Sequence, residues 1–292
     1  MAKNDAMVGF VGLGNMGSVL AGNLVASGHE VVAHDVAGPG RCPEGAAFAD
    51  DVAELARRAD VVVLSLPDGN VSEAVTTAIA TTDGRRVTHV VDTSTIGVTA
   101  AQRVDALLTD AGVAYVDAPV SGGIAGARAR TLSVMYAGSD DACTAVEPVL
   151  AGLSDRRRRV GERPGMAQAL KLLNNFLSAT ALAATSEAIA FGASVGLDMG
   201  VMLEVLDQSS GQSAATSDKF PNEVLTGRFA SGFANTLMAK DLRLYLGAVD
   251  AAGSPATIGP VTAAVWERFA AADPGTDFTR IYEFVRDSRN EP

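Results

Sequence analysis

The stretch MVGFVGLGNMG, residues 7–17, decides the fold of this chain. An apolar strand runs directly into a G-x-G-x-x-G turn and a helical pattern begins at once, which is the setting that makes this motif informative. Gly12 permits a tight turn, Gly14 lets the main chain approach a pyrophosphate, and Gly17 lets the helix pack close to the strand. The free N–H groups at the helix N-terminus favour phosphates. We therefore predict that a dinucleotide binds at this turn, against Gly12, Leu13, Gly14, Asn15, Met16 and Gly17.

Asp35 supports this interpretation and indicates which dinucleotide binds. It ends the second predicted strand, about 20 residues after the glycines, where a carboxylate accepts hydrogen bonds from the adenosine ribose hydroxyls and repels a 2′-phosphate. The residue therefore favours NAD, while the nearby Arg41 keeps NADP as the alternative cofactor. A structural turn beside a surface aspartate is the interpretation without a ligand, and the combination of strand, turn, helix and acid counts against it.

The first half of the chain alternates short Val-rich runs with longer Ala- and Leu-rich segments. This rhythm is typical of a parallel sheet covered by helices on both faces, so we predict a Rossmann-type, doubly wound α/β domain over residues 1–163 with a mainly parallel sheet. The predicted strands are 7–11, 30–34, 60–66, 87–92, 114–117 and 132–137. The predicted helices are 15–27, 50–58, 71–81, 98–111 and 140–150.

The rhythm stops near residue 163, and from Pro164 onward the pattern is almost wholly helical. We predict an all-α second domain over residues 164–292. Residues 165–195 contain no proline and are rich in alanine and leucine, so they are predicted to form one long helix, with further helices at 200–208, 236–252 and 260–272. Because the long helix is apolar all round, we expect other helices to cover it, including those of a second subunit in a homodimer or homotetramer.

Composition argues against several classes of function. The chain has 292 residues, of which 48% are hydrophobic and 20% charged, and its net charge of −11 repels nucleic acid. The basic run at 156–159 is interpreted as a solvated surface connection. The two cysteines and three histidines lack metal-ligand spacing, so no metal site is predicted. Without a signal-like or membrane-spanning run, we expect a cytoplasmic protein with no membrane partner.

Two later strand ends add candidate cofactor contacts. Leu66 ends the third predicted strand and Pro67 follows it, while Thr95 lies just beyond the fourth. Open α/β sheets bind ligands at this carboxyl edge. Thr95 is a candidate hydrogen-bond partner for the nicotinamide half of the cofactor, although a threonine in this position, taken alone, is more often a helix cap.

Two further motifs carry chemistry. In the loop 117–123, DAPVSGG, the Ser121 hydroxyl and the N–H groups of Gly122 and Gly123 suit a carboxylate, although such a loop alone is more often a plain turn. Lys171 and Asn175 lie one helical turn apart and share a face of the long helix. Burial among leucines is expected to lower the pKa of Lys171 towards neutrality, which suits proton exchange with a substrate hydroxyl or carbonyl. Asn175 can hold that oxygen without adding charge.

Four motifs in order resemble the β-hydroxyacid dehydrogenase family, the family of 3-hydroxyisobutyrate dehydrogenase, and the resemblance covers essentially the whole chain. They are the glycine turn at 12–17, the 117–123 loop, Lys171 with Asn175, and Lys240-Asp241-Leu242. The resemblance implies hydride transfer between NAD(P) and a small β-hydroxy acid or its semialdehyde. It implies that Lys171 is the catalytic acid/base, that Ser121, Gly122 and Gly123 hold the substrate carboxylate, that Asn175 contacts the substrate, and that Lys240 closes over the cofactor or substrate beside an orienting Asp241.

The chain departs from the family pattern at two positions. Ala167 and Arg130 stand where members usually carry glycine. Ala167 is expected to alter slightly the turn that precedes Lys171. Arg130 places a bulky cation close in sequence to the substrate motif, so the substrate preference of better-known members does not transfer directly.

Two alternatives stay open at this point. One is an imine reductase of related architecture, against which the identity of Lys171 counts. The other is a cofactor-sensing or chromatin-associated binding protein on the same fold without catalysis, against which the acidic charge balance and the retained lysine count.

Overall fold

The structure is a computed structural model that describes residues 6–287 of the chain. The chain forms two compact units, Met1–Lys171 and Leu172–Pro292. One long helix runs from the first unit into the second, so the boundary between residues 163 and 164 stays a prediction.

The first unit is built on a nine-stranded sheet, counted over the described residues. Its strands are β1 (Val8–Val11), β2 (Val31–His34), β3 (Ala47–Phe48), β4 (Val61–Leu64), β5 (His89–Asp92), β6 (Ala114–Asp117), β7 (Val120–Ser121), β8 (Ser133–Ala137) and β9 (Arg156–Gly161). The order is β3-β2-β1-β4-β5-β6-β8-β7, with β9 also paired to β8. The first six strands run parallel, whereas β8 is antiparallel to β6 and β7. The predicted mainly parallel, doubly wound sheet is confirmed.

Helices cover both faces of this sheet. They are α1 (Gly17–Ala26), α2 (Val52–Arg58), α3 (Gly69–Thr81), α4 (Val98–Asp110), α5 (Gly123–Arg128) and α6 (Asp140–Leu153). Successive strand residues point to opposite faces, so Val63 joins the apolar core under α1 and α6 while Val62 joins the one under α2 and α4. This two-sided burial explains why these strands appear in the sequence as continuous apolar runs.

The second unit is all-helical over its described residues, as predicted. Most of α7 (Met166–Ser194) lies in it, followed by α8 (Met199–Asp207), a π-helical segment (Ala215–Val224), α9 (Asn235–Ala251), α10 (Gly259–Ala272), a 3₁₀ turn (Phe278–Arg280) and α11 (Ile281–Asp287). Trp266 is fully buried, and its indole N–H donates to the Ala179 carbonyl of α7 at 3.2 Å. Both residues belong to the apolar core of the second unit.

By length and composition, α7 is apolar enough to cross a membrane, with a mean hydropathy of 1.3 over its most apolar window. Its side chains at Ala179, Leu182 and Ile189 instead lie in the core of the second unit. A buried core helix of a water-soluble protein has the same composition.

Residues 156–159 form a strand, so their interpretation as a connection is wrong, although Arg156 and Arg158 are exposed to solvent as predicted. These four arginines lie in β9, an edge strand that pairs in parallel with β8. Arg157 pairs with Glu147 at 2.7 Å, and Arg159 pairs with Asp140 at 2.5 Å, so carboxylates of α6 neutralise alternate side chains of the strand. Charged side chains are a common device on edge strands, where one row of backbone groups stays open to other chains.

Arg130 adopts a left-handed backbone conformation, with φ at 57°, at the position where the family usually carries glycine. Its guanidinium donates to the Ser27 hydroxyl just beyond α1 at 2.7 Å, and to the carbonyls of Ala151 and Gly152 in the last turn of α6, each at 2.9 Å. A cation at helix C-termini is stabilising because the last carbonyls lack partners within the helix. Arg130 is therefore committed to joining two helices rather than to the substrate motif that it follows in sequence.

Candidate active site

The glycine turn has the geometry that the sequence predicts for each glycine. Gly12 has φ at 96°, and a Cβ added there would lie 2.3 Å from the Ser65 carbonyl oxygen. A Cβ on Gly17 would lie 1.9 Å from the Gly12 carbonyl oxygen, so α1 can approach β1 this closely only without a side chain. At Gly14, by contrast, a Cβ would meet no protein atom within 4 Å. The turn therefore leaves a space above Gly14 that a bound pyrophosphate fits.

The Asp35 side chain, just after β2, is held by hydrogen bonds from two backbone N–H groups, one to each carboxylate oxygen. Its Oδ2 accepts a hydrogen bond from the Leu13 N–H at 2.5 Å, and its Oδ1 accepts one from the Ala37 N–H at 2.8 Å. Because a carboxylate has about four acceptor sites, these two bonds orient it and leave capacity for ribose hydroxyls. The carboxylate thus lies directly beside the glycine turn.

Arg41 lies on the other side of the same turn. Its guanidinium donates to the Asn15 side-chain oxygen at 3.0 Å. An open cavity of about 300 Å³ lies here, and its lining residues are Asn15, Ser18, Val19, Arg41, Ile124 and Arg128. The guanidinium groups of Arg41 and Arg128 thus both line the space beside the N-terminal end of α1.

Ser94 ties the two loops that follow β4 and β5. Its hydroxyl accepts a hydrogen bond from the Leu66 N–H at 2.8 Å, and its own N–H donates to the Asp92 carboxylate at 2.9 Å. Burial raises the pKa of that Asp92 carboxyl. Thr95 follows at once and is half-buried. The predicted cofactor contacts Leu66, Pro67 and Thr95 therefore belong to one connected edge of the sheet.

The DAPVSGG segment, predicted as a loop, is more ordered than expected. Ser121 ends the short strand β7, opposite Ser133 of β8, and Gly123 begins α5. Gly122 has φ at 132° and Gly123 has φ at 66°, which are conformations that glycine tolerates best. The segment starts at Asp117, the last residue of β6, so it leaves the same edge of the sheet as the other loops.

Lys171 is buried, with only 7% of the residue exposed, as the surrounding leucines predicted. It lies in the second turn of α7, three residues after Gln168, which is fully buried. The Gln168 N–H donates to the Asp117 carboxylate at 2.9 Å, and its side chain bonds to the Thr95 loop. The preceding Ala167 is fully buried beside Met135 and Ala137. In the first unit, then, the start of α7 is held against the sheet edge that carries the candidate cofactor and substrate residues.

The remaining candidates lie in the second unit. Asn175 donates through its amide to the Asp241 carboxylate at 2.6 Å, and both residues are buried. Lys240 forms an ion pair with Asp241 at 3.3 Å. Asp241 therefore orients the Asn175 amide, whose second N–H hydrogen suits a substrate oxygen.

Sequence reasoning missed Gln168 and the contact that Asp117 makes with it. The signal present in the sequence is weak: Gln168 is a polar residue in an apolar helix, and Asp117 ends a buried strand. Within residues 6–287, no group of three or more His, Cys, Asp or Glu side chains is placed to hold a metal ion.

Two family descriptions match the chain, and together they span most of it. Residues 7–161 match the NAD binding domain of 6-phosphogluconate dehydrogenase. Residues 165–285 match the NAD-binding region of NADP-dependent 3-hydroxyisobutyrate dehydrogenase.

Curated relatives align over nearly the full length of the chain. The mitochondrial 3-hydroxyisobutyrate dehydrogenase of Drosophila melanogaster is 32% identical over 98% of this chain and 90% of its own length. A probable 3-hydroxyisobutyrate dehydrogenase of Mycobacterium bovis is 35% identical, over 96% of this chain and 97% of its own.

Solved structures agree with these relatives. The 3-hydroxyisobutyrate dehydrogenase of Mycobacterium tuberculosis, solved with L-serine, superposes with a TM-score of 0.90 at 33% identity, covering 96% of this chain and 99% of that one. An imine reductase from a Pseudomonas species reaches 0.62 at 20% identity, over 96% of this chain and 99% of its own, and shares the fold alone.

Proposed function

The chain belongs to the β-hydroxyacid dehydrogenase family, and on that premise we propose which of its residues carry out the reaction. It is an NAD(P)-dependent oxidoreductase that moves a hydride between its cofactor and a small β-hydroxy acid or the matching semialdehyde. We propose Lys171 as the acid/base of this reaction. The burial of a lysine in the second turn of α7, on the helix whose start is bonded to the sheet edge, is the observation that supports this role most directly.

In oxidation, neutral Lys171 accepts the proton of the substrate hydroxyl. In reduction, its ammonium form donates that proton and stabilises the developing alkoxide. Ser121, Gly122 and Gly123 hold the substrate carboxylate with one hydroxyl and two N–H groups. Asn175, oriented by Asp241, donates to a substrate oxygen, and Lys240 closes over the cofactor or substrate.

When bound, the nicotinamide of the cofactor would supply or accept the hydride. The residues that would hold the dinucleotide are the glycine turn at 12–17, Asp35, Leu66, Pro67, Thr95 and Lys240. The space above Gly14 and the oriented Asp35 carboxylate both fit such a ligand. The chain's own contribution is to position the cofactor and to move the proton at the Lys171 amine.

A substrate screen with both cofactors tests this proposal. We expect the protein to reduce NAD in the presence of 3-hydroxyisobutyrate or a close analogue such as L-serine or 2-(hydroxymethyl)glutarate. Cyclic imines with NADPH serve as the comparison, and turnover of imines alone would favour an imine reductase. Cofactor binding without turnover of any hydroxy acid would favour a sensing protein instead.

Replacing Asp35 with asparagine is expected to reduce the preference for NAD over NADP by about tenfold or more, since like-charge repulsion of a 2′-phosphate costs several kcal/mol. An asparagine carries only one acceptor oxygen, so it also loses either the Leu13 or the Ala37 bond. The ratio of kcat/KM values for the two cofactors measures the effect. Arg41→Ala is the companion variant and is expected to weaken NADP use only. An unchanged ratio in Asp35→Asn would contradict the assignment.

We propose that the protein is a homodimer whose interface includes an apolar face formed by the end of α7 and by α8. Gly192 of α7 packs against Met202 of α8, so the two helices are in direct contact. This face carries five large apolar side chains that are each more than half exposed: Phe191, Val195, Leu197, Val201 and Val205. A second copy of the same face is the natural partner, because twofold interfaces are self-complementary.

The mass in solution tests the dimer. We expect light scattering to give about twice the 29.8 kDa of one chain, and Phe191→Glu with Val201→Glu to return it to the single-chain value. Val36→Glu is the control, because Val36 is equally apolar and 98% exposed but lies in the first unit. A monomeric wild-type protein would disprove the proposal.

We also propose a cytoplasmic location, supported by two free cysteines, Cys42 and Cys143. Free thiols are typical of reducing compartments. Cell fractionation with an antibody against the native protein tests this location.

A further inference from the structure

We propose that Asp117 and Gln168 are a positioning pair that fixes the first turn of α7, and therefore Lys171, against the loops of the sheet edge. The inference rests on the proposed acid/base role of Lys171, because the position of that residue limits catalysis only if it carries the proton. All the groups in the argument lie in the first unit.

Gln168 binds one loop through both the oxygen and the nitrogen of its side-chain amide. Its Oε1 accepts hydrogen bonds from the Ile96 N–H at 2.9 Å and the Gly97 N–H at 3.1 Å, and its Nε2 donates to the Ser94 carbonyl at 3.0 Å. Because the two N–H donors require the amide oxygen and the carbonyl requires the amide nitrogen, the Gln168 side-chain amide fits in only one orientation. The loop that contains Thr95 is thus tied to a residue one helical turn before Lys171.

Asp117 links the other segment, the one that leads to Ser121, to the start of α7. Its carboxylate accepts from the Gln168 N–H at 2.9 Å, although it belongs to a strand 51 residues earlier. The first N–H groups of a helix lack partners within the helix, and a carboxylate there also interacts favourably with the helix dipole. Asp117 is therefore a cap supplied from the sheet, at the start of the segment that leads to Ser121.

The two residues together join three segments that must act on one substrate. The Thr95 loop, the Ser121 segment and the first turn of α7 meet at Gln168 and Asp117. Both residues are fully buried, so water does not compete for these bonds. A shift of this turn would move Lys171 relative to both loops, and a misplacement of about 1 Å costs up to about 100-fold in rate.

The protonation of Asp117 makes the pair testable by pH. The pKa of its carboxyl is raised to about 7, mainly by burial and to a smaller extent by the charge of Asp92 on β5, while hydrogen bonds from the N–H groups of Gln168 and Gly165 act to lower it. The other titratable groups near it are Tyr115 on β6 and Cys143 on α6, with Lys171 along α7. Below about pH 7, Asp117 takes up a proton and loses its charge, so its bond to the start of α7 weakens.

The pH profile of kcat for reduction of the semialdehyde of 3-hydroxyisobutyrate by NADH separates the titration of Asp117 from that of Lys171. Reduction requires protonated Lys171, so titration of the lysine removes activity on the alkaline side. A loss on the acid side near pH 7 therefore reports one of the two buried carboxyls, Asp117 or Asp92, since the substrate carboxyl titrates far lower. Variants of the two aspartates distinguish between them. We expect kcat of the wild-type enzyme to fall several-fold below that pH.

Asp117→Asn is the matched variant, because asparagine keeps the shape and one acceptor but cannot ionise. We expect its kcat to lack the acid-side fall and to stay near the low-pH value of the wild type. Asp92→Asn is the control at the neighbouring strand end. It is expected to retain the acid-side fall, shifted to lower pH because the Asp92 charge no longer raises the pKa of Asp117. A wild-type profile without that fall, or a fall that persists in Asp117→Asn, overturns the inference.

Gln168→Met is an independent test that does not depend on pH. Methionine has a similar length but makes none of the three side-chain bonds. We expect kcat to fall about 10- to 100-fold while KM for NADH changes little. Gln102→Met on the exposed face of α4 is the control. An unchanged kcat in Gln168→Met also overturns the inference.

Lys171→Ala separates the failure of this inference from the failure of the proposed function. If Lys171→Ala remains active, the acid/base assignment itself is wrong. If Lys171→Ala is inactive while Asp117→Asn and Gln168→Met behave as the wild type, only the positioning role is wrong.

Discussion

Lys171→Ala is expected to lower kcat by about 10³-fold, the middle of the range for loss of a general acid/base, and to leave the Kd for cofactor nearly unchanged. The reason is that the amine exchanges the proton while other residues hold the dinucleotide. Initial rates in both directions, together with fluorescence titration of cofactor, measure the two effects separately.

Lys171→Arg refines the same test. Arginine keeps the positive charge but does not lose its proton in proteins, so it cannot act as the base in oxidation. We expect it to be as inactive as the alanine variant in that direction. Lys219→Ala is the control, because Lys219 forms an ion pair with Asp218 at 2.8 Å and has no role in the proposed reaction. If Lys171→Ala kept more than a small part of wild-type turnover, the proton would have to come from another group.

Gly14→Ala is expected to weaken cofactor binding about 100-fold, or roughly 2.8 kcal/mol, without loss of stability. A methyl group at Gly14 meets no protein atom within 4 Å, so the folded protein accommodates it. The same methyl group would occupy the space in which the pyrophosphate approaches the backbone. Titration with NAD and a thermal melt give the two quantities. Normal NAD affinity in this variant would show that the phosphates bind elsewhere.

Two glycines of α1, Gly17 and Gly22, provide controls with opposite outcomes. Gly17→Ala should lower both stability and binding, because its Cβ would lie 1.9 Å from the Gly12 carbonyl oxygen and the helix must move. Gly22→Ala should leave binding unchanged, because its nearest contact is an ordinary 3.7 Å to Pro43. It should also raise stability by about 0.5–1 kcal/mol, since alanine restricts the unfolded chain.

The parallel part of the fold could be predicted because its strands are buried on both faces. Val61–Leu64 is a run of four buried apolar residues. Because helices cover both faces of such a strand, nearly every residue in it must be apolar. The edge strand β9 could not be predicted in this way. Two of its four arginines, Arg157 and Arg159, pair with carboxylates of α6. The strand exists because β8 offers backbone partners, which no local sequence pattern records.

The residues of the candidate site also differ in whether the sequence could predict them. Residues that a ligand requires, such as the glycines of the turn, appear as motifs because the ligand's chemistry is constant. Gln168 serves other residues of the chain, and its partners Ser94, Ile96 and Gly97 are distant in sequence. A polar side chain directed inward from an apolar helix becomes recognisable only once the fold brings those partners together.

The bonds made by Arg130 also affect how the protein opens. One guanidinium holds both the residue that follows α1 and the last turn of α6, so neither helix end can fray without breaking bonds that the other shares. The two ends therefore form one cooperative unit, in which slow amide exchange at one end accompanies slow exchange at the other. We therefore expect α1, the helix proposed to receive the cofactor phosphates at its first turn, to be protected from local unfolding by a residue bound at its opposite end.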